Sequence, residues 1–287
     1  MVFSGKERTI ESSISISGIS LHSGKDVKLT LSPLPVGSGV VFKRTDLDGF
    51  SVPLSVDSVI STTMATSIGI GRDRISTIEH LMSALYSYGI DNVEISVDSD
   101  EPPVLDGSSL EFCKFIESIG YREQEKSREL IVIKKAVEIR DGDKFVRIEP
   151  SKDGDFSIDF KIDFQNPAIG IQEANFSFRE NSYRDEVAPA RTFGFLKDVD
   201  MLKSQGLARG ANYDNVIVIG EDSVLNSGGL RFENEFVRHK ILDVIGDFST
   251  LGKRVIGKYS SFAGSHHFNS LLIKKILEDK SNYSVQS

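Results

Sequence analysis

One cysteine, Cys113, is all the thiol chemistry this 287-residue chain has. It sits in the apolar stretch Phe112-Cys113-Lys114-Phe115, so no intramolecular disulfide can form and no cysteine-based metal site is available. A basic excess is lacking as well: 42 acidic residues against 34 basic give a formal net charge of -8. That balance argues against a nucleic-acid surface, which needs clustered Lys and Arg, while an anionic small molecule needs only a local basic pocket. No window approaches the run of about 20 apolar residues that a transmembrane helix requires. The first ten residues carry Lys6, Glu7 and Arg8 with no apolar core behind them, which fits neither a signal peptide nor a membrane anchor. There is no polybasic cluster and no evident amphipathic anchor. A soluble, cytoplasmic protein without stable membrane insertion is the expectation.

Several familiar motifs are missing too. Gly69-Ile70-Gly71-Arg72-Asp73-Arg74 lacks the third glycine of a dinucleotide loop and the lysine of a Walker loop. Pro102 and Pro103 behind Asp98-Ser99-Asp100 exclude an EF-hand loop. No serine sits in a G-x-S-x-G elbow, and there is no H-E-x-x-H.

What is present reads as an α+β chain. Ile14, Ile16 and Ile19 alternate with serines, and Val27, Leu29 and Leu31 with Lys28 and Thr30, the period-two pattern of half-buried strands. Ile78, Leu81, Met82 and Leu85 form a helical stripe within Ser76 to Tyr88, where Ser76 and Glu79 match a capping box. A second helix is expected from about Ser108 to Gly120, with Ser108 and Glu111 repeating that pattern. Arg122 to Glu129, almost all charged, reads as a surface linker and places a boundary between residues 1–125 and 126–287. Beyond it Phe156, Ile158, Phe160, Ile162 and Phe164 alternate as a strand. Arg184 to Arg209 reads as mixed loop and helix, and Asn215 to Ile219 as a short buried strand. A helix follows from about Glu235 to Leu251, then a strand from Arg254 to Tyr259. A last helix spans about Asn269 to Leu277, and a polar, frayed tail follows it. Each half thus has strands, a helix with a histidine in its early turns, a glycine and another strand, a plan that suggests an internal duplication whose histidine-bearing helices could face each other.

The candidate chemistry lies in five histidines: His22, His80, His239, His266 and His267. His239 and Asp243 are four apart and project from one helix face. Neutral imidazole and carboxylate both suit zinc, and His80 could supply a third ligand if the two halves meet. On the residues alone, His239 with Asp243 reads more readily as an ordinary ion pair on a helix face. His80 alone fits a core histidine, Glu79 a capping residue, and His22 a turn residue.

Seven segments change that balance. They are Gly18-Ile19-Ser20-Leu21-His22-Ser23-Gly24, Ile75-Ser76-Thr77-Ile78-Glu79-His80-Leu81, Gly89-Ile90-Asp91-Asn92, Leu105-Asp106-Gly107-Ser108, Ala190-Arg191-Thr192-Phe193-Gly194-Phe195, Leu230-Arg231-Phe232-Glu233, and the run from Phe236 to Asp247. Together and in this order they resemble the UDP-3-O-acyl-N-acetylglucosamine deacetylase family over nearly the whole chain. The resemblance implies two similar domains, each layering strands against helices, with the active site in the cleft between them. It implies zinc held by His80, His239 and Asp243, with Glu79 as general base and His266 as general acid. Asp247 would orient His266, and Thr192 would help hold the oxyanion. Lys240, His22 and Phe193 would bind substrate, and residues within about Phe193 to Val218 would line an apolar passage for its acyl chain. The activity implied is zinc-dependent removal of the 2-acetyl group from UDP-3-O-acyl-N-acetylglucosamine, the committed step of lipid A biosynthesis, by a monomer. Phe262-Ala263-Gly264-Ser265-His266 departs from the family, which usually has a basic residue at the Ala263 position. The rivals are a zinc amidase for another acylated amide, a catalytically silent binding protein, and a membrane-surface module.

Overall fold

The computed structural model describes residues 5–287, so the first four residues of the expected N-terminal domain lie outside the described residues. It is an α+β structure whose two main sheets are built on one plan. In the first, the strand order is Ile14–Ile19, Asp26–Pro33, Val93–Val97, Val40–Arg44, Ser51–Pro53. In the second, the corresponding order is Val137–Asp141, Lys144–Glu149, Arg254–Phe262, Phe156–Asp163, Ile171–Ser177. In both, the last in sequence of these five strands is inserted at the centre, antiparallel to one neighbour and parallel to the other. Chance agreement in order and in every strand direction would be unusual, so the suspected duplication is written in the topology.

The helices repeat as well. Helix α1 (Glu79–Ser87) precedes the central strand of the first sheet and α2 (Leu110–Ile119) comes after it. Two short helices, α3 (Tyr183–Glu186) and α4 (Val199–Ser204), belong to the second half, where α5 (Glu235–Phe248) precedes the central strand and α6 (His266–Glu278) follows. Each half carries an insert between its fourth strand and its histidine-bearing helix. The first insert is a small sheet of Val59–Ser61, Ser67–Ile70 and Asp73–Ile75. The second holds α3, α4 and a parallel pair, Phe193–Phe195 with Ile217–Ile219. Among the described residues, no helix is long and apolar enough to cross a membrane.

Helices α1 and α5 pack against each other and are buried almost all round. A helix without a wet face must be apolar throughout or hide its polar groups for a purpose. Their contact is closest at Gly246, where a Cβ would stand 2.2 Å from the Glu79 carbonyl oxygen. Glycine is therefore what lets α5 reach the start of α1. A second close approach joins the halves at Gly107, whose φ is +82° and where a Cβ would lie 1.9 Å from the Asn215 carbonyl oxygen.

Five sequence expectations are corrected. Helix α1 starts at Glu79 without a side-chain cap, because Glu79 Oε2 instead accepts the Thr66 N–H (3.0 Å). Helix α2 starts at Leu110, and Glu111 pairs with Lys114 rather than closing a capping box. The expected linker is mostly a strand, Tyr121–Ser127, paired antiparallel with Lys6–Ile10 as an outer ribbon whose exposed side chains explain its charge. The tail is no frayed end: Tyr283–Gln286 pairs antiparallel with Leu130–Ile133. Helix α6 also begins three residues earlier than periodicity suggests, because the Ser265 hydroxyl accepts the Phe268 N–H and caps it. That earlier start carries His266 on the first turn.

Candidate active site

The contact between α1 and α5 brings His80, His239 and Asp243 together, each buried. One potential ligand atom from each lies within 4.8 Å of the others. The imidazoles of His80 and His239 meet edge to face with centroids 4.9 Å apart. His239 Nδ1 is 3.0 Å from the Ala190 carbonyl oxygen, which can only accept, so Nδ1 carries the proton and Nε2 presents a lone pair. That Nε2 is 3.4 Å from Asp243 Oδ1. Asp243 Oδ2 accepts the Lys240 ammonium (2.8 Å), but Oδ1 is buried without a hydrogen-bond partner. A buried carboxylate oxygen left bare is costly unless a cation completes it. The donor set, two imidazoles and a carboxylate, and that bare oxygen fit a metal ion.

Charges around the cluster follow from burial and neighbours. Burial and the nearby His239 drive His80 down to about 3, so it is a neutral donor. Burial likewise lowers His239, although Asp243 opposes the shift. Burial would raise Asp243, yet Lys240, His239, His266 and His80 hold it well below the usual carboxylate range. The neutral imidazoles and ionised carboxylate are the forms a metal ion takes.

Beside the cluster stand two further groups. Glu79 is buried, and its Oε1 is 3.7 Å from His266 Nε2. Burial raises the Glu79 carboxyl to about 7, with His266 opposing and Asp243 and Asp247 adding to the rise. His266 Nδ1 lies 2.9 Å from Asp247 Oδ2, and its Nε2 turns toward Glu79 and Asp243. Burial alone would lower His266, but Asp247, Glu79 and Asp243 outweigh it and push it up to about 10. His267, its neighbour in sequence, is exposed and faces Thr62 instead.

A cavity of about 660 Å³ opens on this cluster. Glu79, His80, His239, Asp243, His266, Lys240 and Thr192 form its polar wall, and His22 also reaches it. The His22 ring nitrogen Nδ1 accepts the Ala208 N–H (3.3 Å), which leaves Nε2 as its N–H. Phe193, Phe195, Leu196, Val199, Leu202, Val216 and Val218 form an apolar wall, all inside the span expected to line a passage. Phe193 packs edge-on against Phe236 and lies under the Lys240 ammonium (5.4 Å). Every site residue expected from the sequence therefore borders this cavity except Asp247, which stands behind His266. Ala263 lies apart from the cavity lining, in a left-handed conformation (φ 52°) with its N–H given to the Lys161 carbonyl.

Some participants were not foreseen. Thr66 gives its N–H to Glu79 and its hydroxyl to Asp247 Oδ1 (2.6 Å), holding both carboxylates at once. Asn269 donates to Asp247 Oδ2 (2.8 Å). A buried asparagine on the apolar stripe of α6 is a signal that could have pointed there, whereas nothing in the local pattern marks Thr66. The Ala190 carbonyl is a backbone group and has no letter to read.

Comparison with known proteins agrees with this geometry. A family model described as LpxC, UDP-3-O-acyl N-acetylglycosamine deacetylase, matches residues 7–278. A protein of Helicobacter hepaticus named UDP-3-O-acyl-N-acetylglucosamine deacetylase is 51% identical over 282 residues, covering 98% of this chain and 93% of its own length. Proteins of the same name from Helicobacter pylori strain J99 and Campylobacter jejuni serotype O:2 are each 50% identical, over 280 and 282 residues, covering 98% of this chain and 94% and 95% of their own. This chain therefore belongs to the UDP-3-O-acyl-N-acetylglucosamine deacetylase family.

Proposed function

We propose that the protein hydrolyses the 2-acetamido group of UDP-3-O-acyl-N-acetylglucosamine to acetate and the free 2-amino sugar nucleotide, the committed step of lipid A biosynthesis. The observation that carries this reading is the bare Asp243 oxygen between two neutral imidazoles, next to Glu79 and the His266–Asp247 pair, at the wall of a half-apolar cavity. His80, His239 and Asp243 would hold a zinc ion, which supplies Lewis acidity and lowers the pKa of water toward about 7.

The side chains do the rest. Glu79 takes a proton from the water that attacks the acetamide carbonyl, and Thr66 keeps its carboxylate aimed by donating its backbone N–H to Oε2. As the C–O bond forms, negative charge develops on the carbonyl oxygen, and the Thr192 hydroxyl and Lys240 stand in the cavity wall to balance it. An amine leaves poorly unless protonated, so His266 gives the proton on Nε2 to nitrogen as the C–N bond breaks. Asp247 holds the Nδ1 proton and keeps the imidazolium stable in place. His22 and Phe193 bind substrate, and the Phe193 to Val218 wall takes the acyl chain. The two repeated sheets correspond in this reading to two domains, residues 1–125 and 126–287, with the site in the cleft between them. In this reading the protein acts as a monomer in the cytoplasm.

The test is acetate release from the 3-O-acylated substrate compared with UDP-N-acetylglucosamine lacking the acyl chain. The reading expects efficient release only from the acylated compound. Equal turnover of both would make the protein a general amidase and leave the apolar wall without a role.

A further inference from the structure

We infer that Arg191 and Glu235 are a positioning pair that sets the orientation of His239 and the register of Thr192. The inference rests on the proposed reading of His239 as a metal ligand. Glu235 is the first residue of α5 and is fully buried. Its carboxylate is saturated: Oε1 accepts the Arg191 N–H (3.0 Å) and Nε (2.8 Å), and Oε2 accepts Arg191 Nη2 (3.1 Å) and the Arg231 N–H (2.6 Å). Arg191 Nη2 also reaches the Gly229 carbonyl (2.8 Å). A planar guanidinium gripped in two places, together with its own backbone N–H, fixes the Arg191 peptide in position and in rotation.

What that peptide carries decides the consequence. The carbonyl just before it, on Ala190, receives the His239 Nδ1–H at 3.0 Å. The residue just after it, Thr192, borders the cavity, with its N–H on the Gly107 carbonyl and its carbonyl taking the Ile217 N–H (both 2.8 Å). Glu235 and His239 are one turn apart on the same helix, so the clamp closes a small ring: helix α5, the Glu235 carboxylate, the Arg191 peptide, the Ala190 carbonyl and the His239 ring. A ring with no soft member holds the imidazole plane and its tautomer. Arg231 reinforces it from outside, donating to the Pro189 carbonyl and Asp106 (both 2.8 Å). Partners of ligating histidines commonly govern metal affinity 10- to 100-fold, and here the partner is a carbonyl that cannot be mutated directly. The pair that holds the carbonyl is the accessible handle.

The experiment uses the full chain and two variants. Glu235→Gln keeps the shape and an acceptor oxygen but removes the charge. The double variant Arg191→Met, Glu235→Gln removes the pair without leaving a lone buried ion. Zinc affinity is measured by chelator competition, and the visible absorption of the cobalt-substituted protein reports ligand geometry. The expected result is cooperative unfolding in at least the double variant, zinc binding weakened about 10- to 100-fold, and an altered cobalt spectrum. A folded variant with parent-like zinc affinity and cobalt spectrum overturns the inference. Loss of cooperative unfolding in both variants also overturns it, since the pair is then a fold element. A parent protein that binds no zinc overturns the metal reading itself, and the two failures are told apart by that control.

Discussion

Replacing Gly246 by alanine puts the α1–α5 contact to a sharp test. In an ordinary helix interior this change stabilises by about 1 kcal/mol, because alanine is the better helix former. Here the new methyl group would sit 2.2 Å from the Glu79 carbonyl oxygen and 2.9 Å from its Cα, both backbone atoms that no rotamer change can clear. The helices would have to separate by more than about 1 Å to reach normal contact, and forced overpacking costs about 1–3 kcal/mol. The sign of the stability change is therefore reversed. The same movement pulls Glu79 and His80 away from Asp243, Asp247 and His239. Metal ligands tolerate only about 0.2 Å of error, and about 1 Å of misplacement in a catalytic group can cost roughly 100-fold. Gly246→Ala is expected to lower thermal stability, weaken zinc binding and reduce turnover by about two orders of magnitude. Denaturant unfolding, chelator competition and an acetate assay measure the three. A variant more stable than the parent with full activity would refute the claim that this contact assembles the site.

Other substitutions separate the roles within the cluster. Glu79→Gln and His266→Ala should each lose about 100- to 10,000-fold in turnover while zinc content measured by atomic absorption stays near that of the parent; full activity in either would break its assignment. Asp243→Ala should lose the metal instead, and a variant with stoichiometric zinc would remove Asp243 from the ligand set. Leu202→Trp should depress turnover of long-chain acyl substrates relative to short-chain ones, and an unchanged ratio would show that this wall does not hold the chain. Burial pushes the Cys113 thiol up to about 12, so a thiol reagent at pH 8 should find no reactive group in the native protein and one in denaturant; rapid native labelling would contradict the packing around α2.

Much of the fold was legible because its strands and helices are strongly periodic. The alternation from Phe156 to Phe164 and the stripe on α1 appear in the structure where they were expected. What misled was local pattern with a distant competitor. Ser76 and Glu79 have the spacing of a capping box, yet the Thr66 N–H, from the loop just before the strand Ser67–Ile70, takes the Glu79 carboxylate. The charged stretch around Arg122 looked like a linker because a strand on an outer ribbon needs no apolar face. The tail looked frayed because its pairing partner, Leu130–Ile133, is far away in sequence.

The site divides differently. Residue chemistry alone left His239 and Asp243 as an ion pair on a helix and offered no reason for His80 to approach them. That approach depends on Gly246 and on the order of strands in two sheets, neither of which a local window shows. It was the succession of segments resembling one family that joined them. Groups that act through others stayed invisible: Thr66 lies in no motif, and the Ala190 carbonyl belongs to the backbone.

The most direct test of the whole account is acetate release from UDP-3-O-acyl-N-acetylglucosamine, followed before chelation, after it, and after zinc is restored. The account predicts activity that disappears with the chelator and returns with zinc. A metal-replete protein that binds zinc at one site yet releases no acetate, or one whose acetate release survives complete removal of metal, would contradict it.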